Sequence, residues 1–358
     1  MALNFHSDDR AGALHRRESL TTYLNSNLTR PETLTLTQQA ALSDAARAEY
    51  NRRRQLYTSG GIRIDTPQVR TARRMLTDCF SENVGRNSGH SGLVLDGRST
   101  VGKTTTAKTL MRYVWRDYGR QCPHFEDSGH MPVAYIEVPA GSTGKFLMKE
   151  FASFFGLSVK SAESTSSIRS RVVDLLNAAR TQLIVVDELH NLAGRAAGLG
   201  ESVDLLKNLH NDLGATFLYA GIDLDSGKLL SGTRGQQLLG RFSFLEMKAL
   251  RMADRDDRAI WRALIPAFEA ELPLAEHEAG SLAQYSDYLF VRTGGSIGSL
   301  SRLLTRAAIR AINDPNMPEL ISVELMDAIV LDKAAEDFYA RHRRGLKGQR
   351  DDDLDGFA

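Results

Sequence analysis

Cysteine is scarce in this sequence, and its scarcity excludes two kinds of scaffold. Only Cys79 and Cys122 occur among the 358 residues. Two thiols cannot build a disulfide framework or a four-thiolate zinc site. We therefore expect apolar packing to hold the core, and a reducing, cytoplasmic location.

Long apolar runs and an excess of one charge are also absent. No stretch approaches the length of a bilayer span, and residues 1–17 hold charged side chains where a signal peptide needs an apolar run. The 45 basic and 44 acidic residues leave a net charge of +1. We expect neither secretion nor a membrane partner, and any contact with nucleic acid must come from local patches.

What the sequence does contain is the composition of a soluble globular protein, with 42% hydrophobic and 25% charged residues. Its length suits one large or two modest domains. The pattern divides the chain into an N-terminal helical extension at 1–60, an α/β domain at 61–251, a small all-helical domain at 252–340 and a mobile charged tail at 341–358. A helix is expected within the extension, at 37–56.

The α/β class follows from short apolar runs that alternate with helical stretches. The expected strands are 93–95, 133–138, 183–186, 216–220 and 244–247. Most of these runs are continuous, as strands buried on both faces require, so we predict a mainly parallel five-stranded sheet. Further helices are expected at 67–80, 254–268, 276–291, 297–312 and 322–341.

A phosphate-binding motif directly follows the first strand. It reads Gly97-Arg98-Ser99-Thr100-Val101-Gly102-Lys103-Thr104 and matches G-x-x-x-x-G-K-[ST]. Inward-facing amides and the following helix N-terminus favour a polyphosphate, and we extend the expected nucleotide contacts to Thr105. Lys103 is expected on the β and γ phosphates and Thr104 on Mg²⁺.

A second motif, at 183–188, runs from four apolar strand residues into Asp187 and Glu188. Asp187 is expected to hold the water shell of Mg²⁺, and Glu188 to orient or deprotonate the attacking water. The additional strand at 133–138 argues against small-molecule kinases and Ras-like GTPases. No guanine-type N-K-x-D follows the first motif, which favours ATP.

These motifs together resemble an AAA+ ATPase over about residues 62–312. Within that class the chain most resembles the TniB/TnsC family of transposition regulators, which act with DDE transposases. The stretches that carry the finer resemblance are Asp187-Glu188-Leu189-His190-Asn191-Leu192, Ile64-Asp65-Thr66-Pro67, and Thr293-Gly294-Gly295-Ser296-Ile297-Gly298 with Leu303-Leu304.

The resemblance implies further site residues. Arg241 resembles the arginine finger that reaches the γ-phosphate of a neighbouring subunit, with Arg234 as the rival. The sensor 1 position after the fourth strand holds Ala220-Gly221, so Thr216 or Asp223 would have to substitute. His190 either couples the nucleotide state to the next loop or is a structural histidine.

The resemblance also places DNA contacts in loops that face the centre of a helical filament. The first candidates are Thr143 and Lys145, after the second strand, and the next are Arg195 and Lys207. Such side chains meet phosphates without reading sequence. No recognised base-reading module appears, so sequence-specific binding is not expected.

The function implied is that of an ATP-dependent regulator that assembles on duplex DNA as a ring or helical filament and recruits or activates a transposase. The alternatives are a helicase-loader or replication-initiator ATPase and a low-turnover nucleotide-gated switch. Initiators commonly append a winged-helix domain, for which the roughly 45 residues after 312 are too few.

Overall fold

Two compact units make up the protein. A computed structural model describes residues 11–192, 196–224 and 232–354, without the side chains of 196–201, 232–234 and 344–354. One unit contains residues 11–26 and 67–247, and the other contains 27–66 and the chain from 248 onward. The expected N-terminal extension is thus shared between them.

The first unit is built on a five-stranded sheet, and every strand pairing is parallel. The strands are β1 (Gly92–Asp96), β2 (Val133–Glu137), β3 (Leu183–Asp187), β4 (Thr216–Gly221) and β5 (Phe242–Glu246). Their order across the sheet is β2-β3-β4-β1-β5. The predicted α/β fold with a mainly parallel sheet is confirmed.

Strand burial explains why the apolar runs are continuous. Strands β1, β3 and β4 lie inside the sheet and are buried throughout, whereas the edge strand β5 is buried only at Phe242. Helices cover the sheet, as crossover connections between parallel strands require. These helices are α1 (Arg17–Asn25), α4 (Pro67–Asn83), α5 (Lys103–Gln121), α6 (Gly144–Phe154), α7 (Thr165–Ala178), α8 (Ala196–Asp212) and α9 (Gly232–Leu239).

Helix α1 is fastened to α5 by apolar and polar contacts. Leu20 and Leu24 belong to the sheet unit's core. The Arg112 guanidinium donates to the carbonyl of Ser26 at 2.7 Å, and Trp115 Nε1 donates to Asn25 Oδ1 at 2.8 Å. Because the Arg112 side chain is buried, these bonds replace the water that its charge would otherwise need.

The second unit is helical and has a core of its own around Trp261 and Leu300. Its helices are α2 (Leu36–Ala40), α3 (Asp44–Gly60), α10 (Arg255–Glu269), α11 (Ser286–Thr293), α12 (Ile297–Asn313), α13 (Val323–Asp327) and α14 (Lys333–Leu354). No described helix in either unit is both long enough and apolar enough to cross a membrane.

Local capping accounts for the helix boundaries that differ from expectation. The single helix expected at 37–56 is two helices, because the Ser43 side chain accepts the N–H of Ala46 and starts α3. The helix expected at 276–291 begins later: Gly280, at φ +89°, opens a 3₁₀ turn that leads into α11. The stretch expected at 322–341 divides into α13, capped by Ser322, and α14.

Candidate functional site

The phosphate-binding loop connects β1 to α5, and its backbone depends on glycine. Gly97 has φ +153°, and a Cβ there would lie 2.1 Å from the carbonyl oxygen of Met247. Gly102, at φ +100°, is the N-cap of α5. Thr100 also has a positive φ, +67°, which a β-branched residue rarely adopts. The loop therefore stores backbone strain, as functional loops often do.

Lys103 is held inside this loop. Its side chain is 7% exposed, and Nζ donates to the carbonyl oxygens of Gly97 at 2.6 Å and Arg98 at 2.8 Å. Burial lowers the pKa of Lys103, against the charges of Glu188, Asp187 and Asp96, which raise it. The geometry presents a desolvated ammonium at the N-terminus of α5, where phosphate oxygens are favoured.

The structure brings the side chains of Asp187 and Thr104 together. Asp187 Oδ2 accepts hydrogen bonds from Thr104 Oγ1 at 3.0 Å and from Tyr135 OH at 2.9 Å, and Oδ1 accepts the N–H of Glu188 at 2.8 Å. A hydroxyl and a carboxylate oxygen side by side suit Mg²⁺, a hard cation that prefers oxygen ligands. The residues present therefore fit a Mg²⁺–nucleotide complex.

Tyr135 is a site residue that sequence reasoning missed. It lies on β2, paired with Val185 of β3, and its side chain is buried. Burial and the Asp187 charge both raise the pKa of its phenol, so Tyr135 stays a hydrogen-bond donor to the carboxylate. The only signal in the sequence was a tyrosine among the apolar residues of a buried strand.

Glu188 turns away from strand β3 into more open surroundings. Its backbone has φ +56°, and its side chain is 38% exposed. A partly exposed carboxylate next to Asp187 is well placed to accept a proton from water. The imidazole of His190 lies against it, with Nε2 3.3 Å from Oε2.

The end of β4 offers the site no polar side chain at the sensor 1 position, Ala220-Gly221. Thr216 does not substitute, because it lies at the amino end of β4, where Asn83 Nδ2 donates to its hydroxyl at 2.9 Å. Asp223 follows the carboxyl end of the strand and has φ +51°. Instead, the N–H of Ile222 donates to His190 Nδ1 at 3.3 Å.

Arg241 lies at the opposite end of the sheet from its own phosphate-binding loop. Its carbonyl accepts the N–H of Gly92, the first residue of β1, at 3.1 Å, whereas the loop follows the last residue. Five strand residues span about 16 Å. The guanidinium is partly exposed and donates to Asn211 Oδ1 at 2.8 Å. The side chain of its rival, Arg234, lies outside the described residues.

The predicted DNA-contact residues have different local roles. Thr143 is the N-cap of α6 and accepts the N–H of Phe146. Lys145 Nζ donates weakly to the carbonyl of Ser161 at 3.4 Å, and Lys207 Nζ donates to Gln237 Oε1 at 3.0 Å. Arg195 lies outside the described residues.

Helices α6 and α8, which carry the two lysines, pack against each other. A Cβ on Gly144 would lie 3.0 Å from Leu205 Cδ2 and 3.4 Å from Ser202 Cα, so glycine permits this close approach. Lys145 and Lys207 thus belong to neighbouring helices of the sheet unit.

Comparison with known families identifies the class of protein. The model of a family described as bacterial TniB protein matches residues 61–251. The chain belongs to the TniB family. The matched region holds the phosphate-binding loop, the Asp187-Glu188 pair and Arg241, and the predicted resemblance is confirmed. None of the curated proteins matches this TniB-family chain.

Solved structures share the fold of this TniB-family chain at low sequence identity. The Aeropyrum pernix ORC2 protein, in ADPNP-ADP complexes, is 17% identical with a TM-score of 0.54, covering 74% of this chain and 67% of that one. The Aeropyrum pernix ORC1 protein, in complex with DNA, is 16% identical with a TM-score of 0.55, covering 78% and 67%. These likenesses show that the chain shares the fold of the two ORC proteins.

Proposed function

We propose that this TniB-family protein is an ATP-dependent, sequence-nonspecific DNA-binding regulator of transposition. It oligomerises on duplex DNA and recruits or activates a transposase. ATP binding favours the assembled state, and Mg²⁺-dependent hydrolysis, stimulated by assembly, releases it. The family membership supports the link to transposition, and the site geometry supports the link between nucleotide and assembly.

The observation that carries the proposal is the separation of Arg241 from Lys103 and Asp187. The phosphate-binding loop and the acidic pair lie at the carboxyl end of the sheet, and Arg241 lies at its amino end. An arginine that far from its own site reaches a γ-phosphate only in a neighbouring subunit. A complete hydrolytic site then requires an oligomer, which makes assembly the step that nucleotide controls.

Duplex DNA is the scaffold that the proposal assigns to this assembly. Lys145 and Lys207 supply positive charge on neighbouring helices, and the chain contains no recognised base-reading module. Contacts of this kind bind phosphates of any sequence and weaken as salt rises. The ORC1 structure is a complex with DNA, but at 16% identity the likeness shows only that the two proteins share a fold. The initiator alternative therefore gains nothing from that likeness.

Nucleotide-dependent DNA binding tests the proposal. Fluorescence anisotropy would follow two duplexes of unrelated sequence with a slowly hydrolysed ATP analogue, with ADP and without nucleotide. We expect comparable affinity for both duplexes with the analogue, and at least about tenfold weaker binding without it. Equal binding in all three states would contradict nucleotide gating, and a strong preference for one duplex would contradict nonspecific binding.

Two pairs of variants test nucleotide gating and nonspecific DNA contact separately. Lys103→Ala should abolish nucleotide and DNA binding together, whereas Lys108→Ala, five residues further along α5, should keep both. Lys145→Ala should weaken binding of both duplexes alike and flatten the salt dependence by about one phosphate contact. Lys149→Ala, one turn later on α6, is the matched control.

Association with a transposase or with a ring helicase then distinguishes a transposition regulator from a helicase loader.

A further inference from the structure

The turn that follows the Asp187-Glu188 pair is anchored to both strands that flank β3. It is a short 3₁₀ helix, Leu189–Asn191. On the β2 side, Asn191 Nδ2 donates to the carbonyl of Val138 at 2.9 Å. On the β4 side, His190 Nδ1 accepts the N–H of Ile222 at 3.3 Å. The turn therefore has two independent attachments, of which only one uses the histidine.

The contact with Ile222 determines which nitrogen of His190 carries the proton. A backbone N–H can only donate, so Nδ1 must act as an acceptor. A neutral imidazole with an acceptor at Nδ1 has its proton at Nε2. Nε2 is the atom that lies 3.3 Å from Glu188 Oε2. The nitrogen that carries the proton therefore lies 3.3 Å from a carboxylate oxygen of Glu188.

Among the described residues, few other contacts restrain the side chain of Glu188. Its N–H is held by Asp187 Oδ1, but this bond fixes the backbone and not the carboxylate. The backbone of Glu188 is left-handed, at φ +56°, and its side chain is partly exposed. A carboxylate at the end of a flexible chain needs a partner if it is to hold a water molecule in one orientation.

We propose that His190 is a positioning residue that holds the Glu188 carboxylate and ties it to the end of strand β4. The inference rests on the proposed ATP hydrolysis and deepens it. Because Ala220 and Gly221 provide no polar side chain, the backbone N–H of Ile222 acts on the site through the imidazole. A shift at the end of β4 then changes the orientation of the general base.

A double-mutant cycle on the full-length protein tests this role. Single-turnover ATP hydrolysis, assembled on duplex DNA, would be compared for wild type, His190→Phe, Glu188→Gln and the double variant. Nucleotide affinity would be measured separately with a fluorescent ATP analogue. His130→Phe is the matched control, since His130 is also partly buried and bonded once, to Tyr118 OH at 3.0 Å.

We expect His190→Phe to lower the hydrolysis rate about 10- to 100-fold and to change nucleotide affinity by less than about twofold. In the Glu188→Gln background the same substitution should cost less than about twofold, because its effect passes through Glu188. His190→Gln, which keeps a side-chain donor, should recover part of the lost rate. His130→Phe should hydrolyse ATP like wild type.

Equal losses in both backgrounds would overturn the proposal, because His190 would then act independently of Glu188. A loss of nucleotide affinity as large as the loss of rate would also overturn it, by assigning the histidine to binding or folding. These outcomes differ from failure of the proposed function, in which wild type itself shows no ATP turnover when assembled. That result would remove the role of Glu188 and that of His190 with it.

Discussion

At the scale of single residues, the hydroxyl of Tyr135 offers a test of the proposed Mg²⁺ site. Tyr135→Phe removes only the hydroxyl that donates to Asp187 Oδ2. We expect the Mg²⁺ concentration for half-maximal ATPase activity to rise about tenfold, because the partners of a metal-binding carboxylate fix its orientation. Tyr113→Phe, on α5, is the control. An unchanged Mg²⁺ requirement would show that Thr104 and the Glu188 amide suffice to orient Asp187.

His210 predicts how stability responds to acid. Its ring is fully buried, 4.9 Å from the ring of Phe217 and 5.2 Å from that of Phe242. Burial, with the nearby charges of His90 and Arg241, lowers its pKa to about 3. As the pH drops from about 6.5 towards 3, the His210 imidazole takes up a proton in the unfolded chain but stays neutral in the folded chain. The free energy of unfolding therefore falls over this pH range.

The matching experiment compares the free energy of unfolding at about pH 7.5 and about pH 5. Between these two pH values, the His210 contribution should lower the free energy of unfolding of wild type by about 2 kcal/mol. His210→Leu should lack this contribution. His124→Gln is the control, because the His124 side chain is 86% exposed. If His210→Leu remained as acid-sensitive as wild type, another group would be responsible.

Candidate site residues in contiguous motifs can be predicted from the sequence, whereas a residue that reaches the site from a neighbouring strand cannot. Lys103, Thr104 and Asp187 could be proposed from the sequence because each motif is contiguous and chemically demanding. Tyr135 was missed because its contact with Asp187 joins neighbouring strands, 52 positions apart in the chain. A single sequence defines strand order and register only loosely. Contacts between side chains on neighbouring strands are therefore difficult to predict from it.

At the scale of elements, a buried ion pair links α3 to the rest of the helical unit. Arg54, with no exposed surface, donates from both terminal nitrogens to Glu319, at 2.6 and 2.8 Å. Burial alone would raise the pKa of Glu319, but the hydrogen bonds and charge of Arg54 hold it below its usual value. This pairing compensates for the cost of burying both charges.

Removing the arginine of this buried ion pair should lower the stability of the protein. Arg54→Met should lower the free energy of unfolding by about 3–5 kcal/mol, because Glu319 is left buried and unpaired. Adding Glu319→Met should recover part of the loss. Arg53→Met, on the exposed face of the same helix, should change stability by less than about 0.5 kcal/mol. Equal costs for the Arg53 and Arg54 variants, by chemical denaturation, would contradict a stabilising role for the pair.

The elements also show where sequence patterns lose precision. The strands were placed well because buried parallel strands appear as short apolar runs between helices. Helix ends were placed less well where one side chain decides them, as Ser43 does by capping α3 inside an otherwise helical pattern. The association of α3 with Glu319, 265 positions away from Arg54, had no local signature.

At the scale of the whole molecule, the trans role of Arg241 predicts complementation between two inactive variants. Glu188→Gln keeps Arg241 but lacks the base, and Arg241→Ala keeps the base but lacks the finger. We expect a mixture to hydrolyse ATP at least about tenfold faster than either variant alone, because mixed interfaces rebuild complete sites. A mixture no faster than the average of its parents would contradict the trans assignment. The same mixture made with Arg234→Ala shows which arginine acts.

In the proposed function, ATP binding controls assembly of the protein on duplex DNA. The most direct measurement is electron microscopy of the purified protein with a slowly hydrolysed ATP analogue, with and without duplex DNA, beside a sample that contains DNA alone. We expect rings or filaments only where analogue and duplex are both present. Persistent monomers under conditions where nucleotide binding is confirmed, or identical assemblies in every sample, would contradict it.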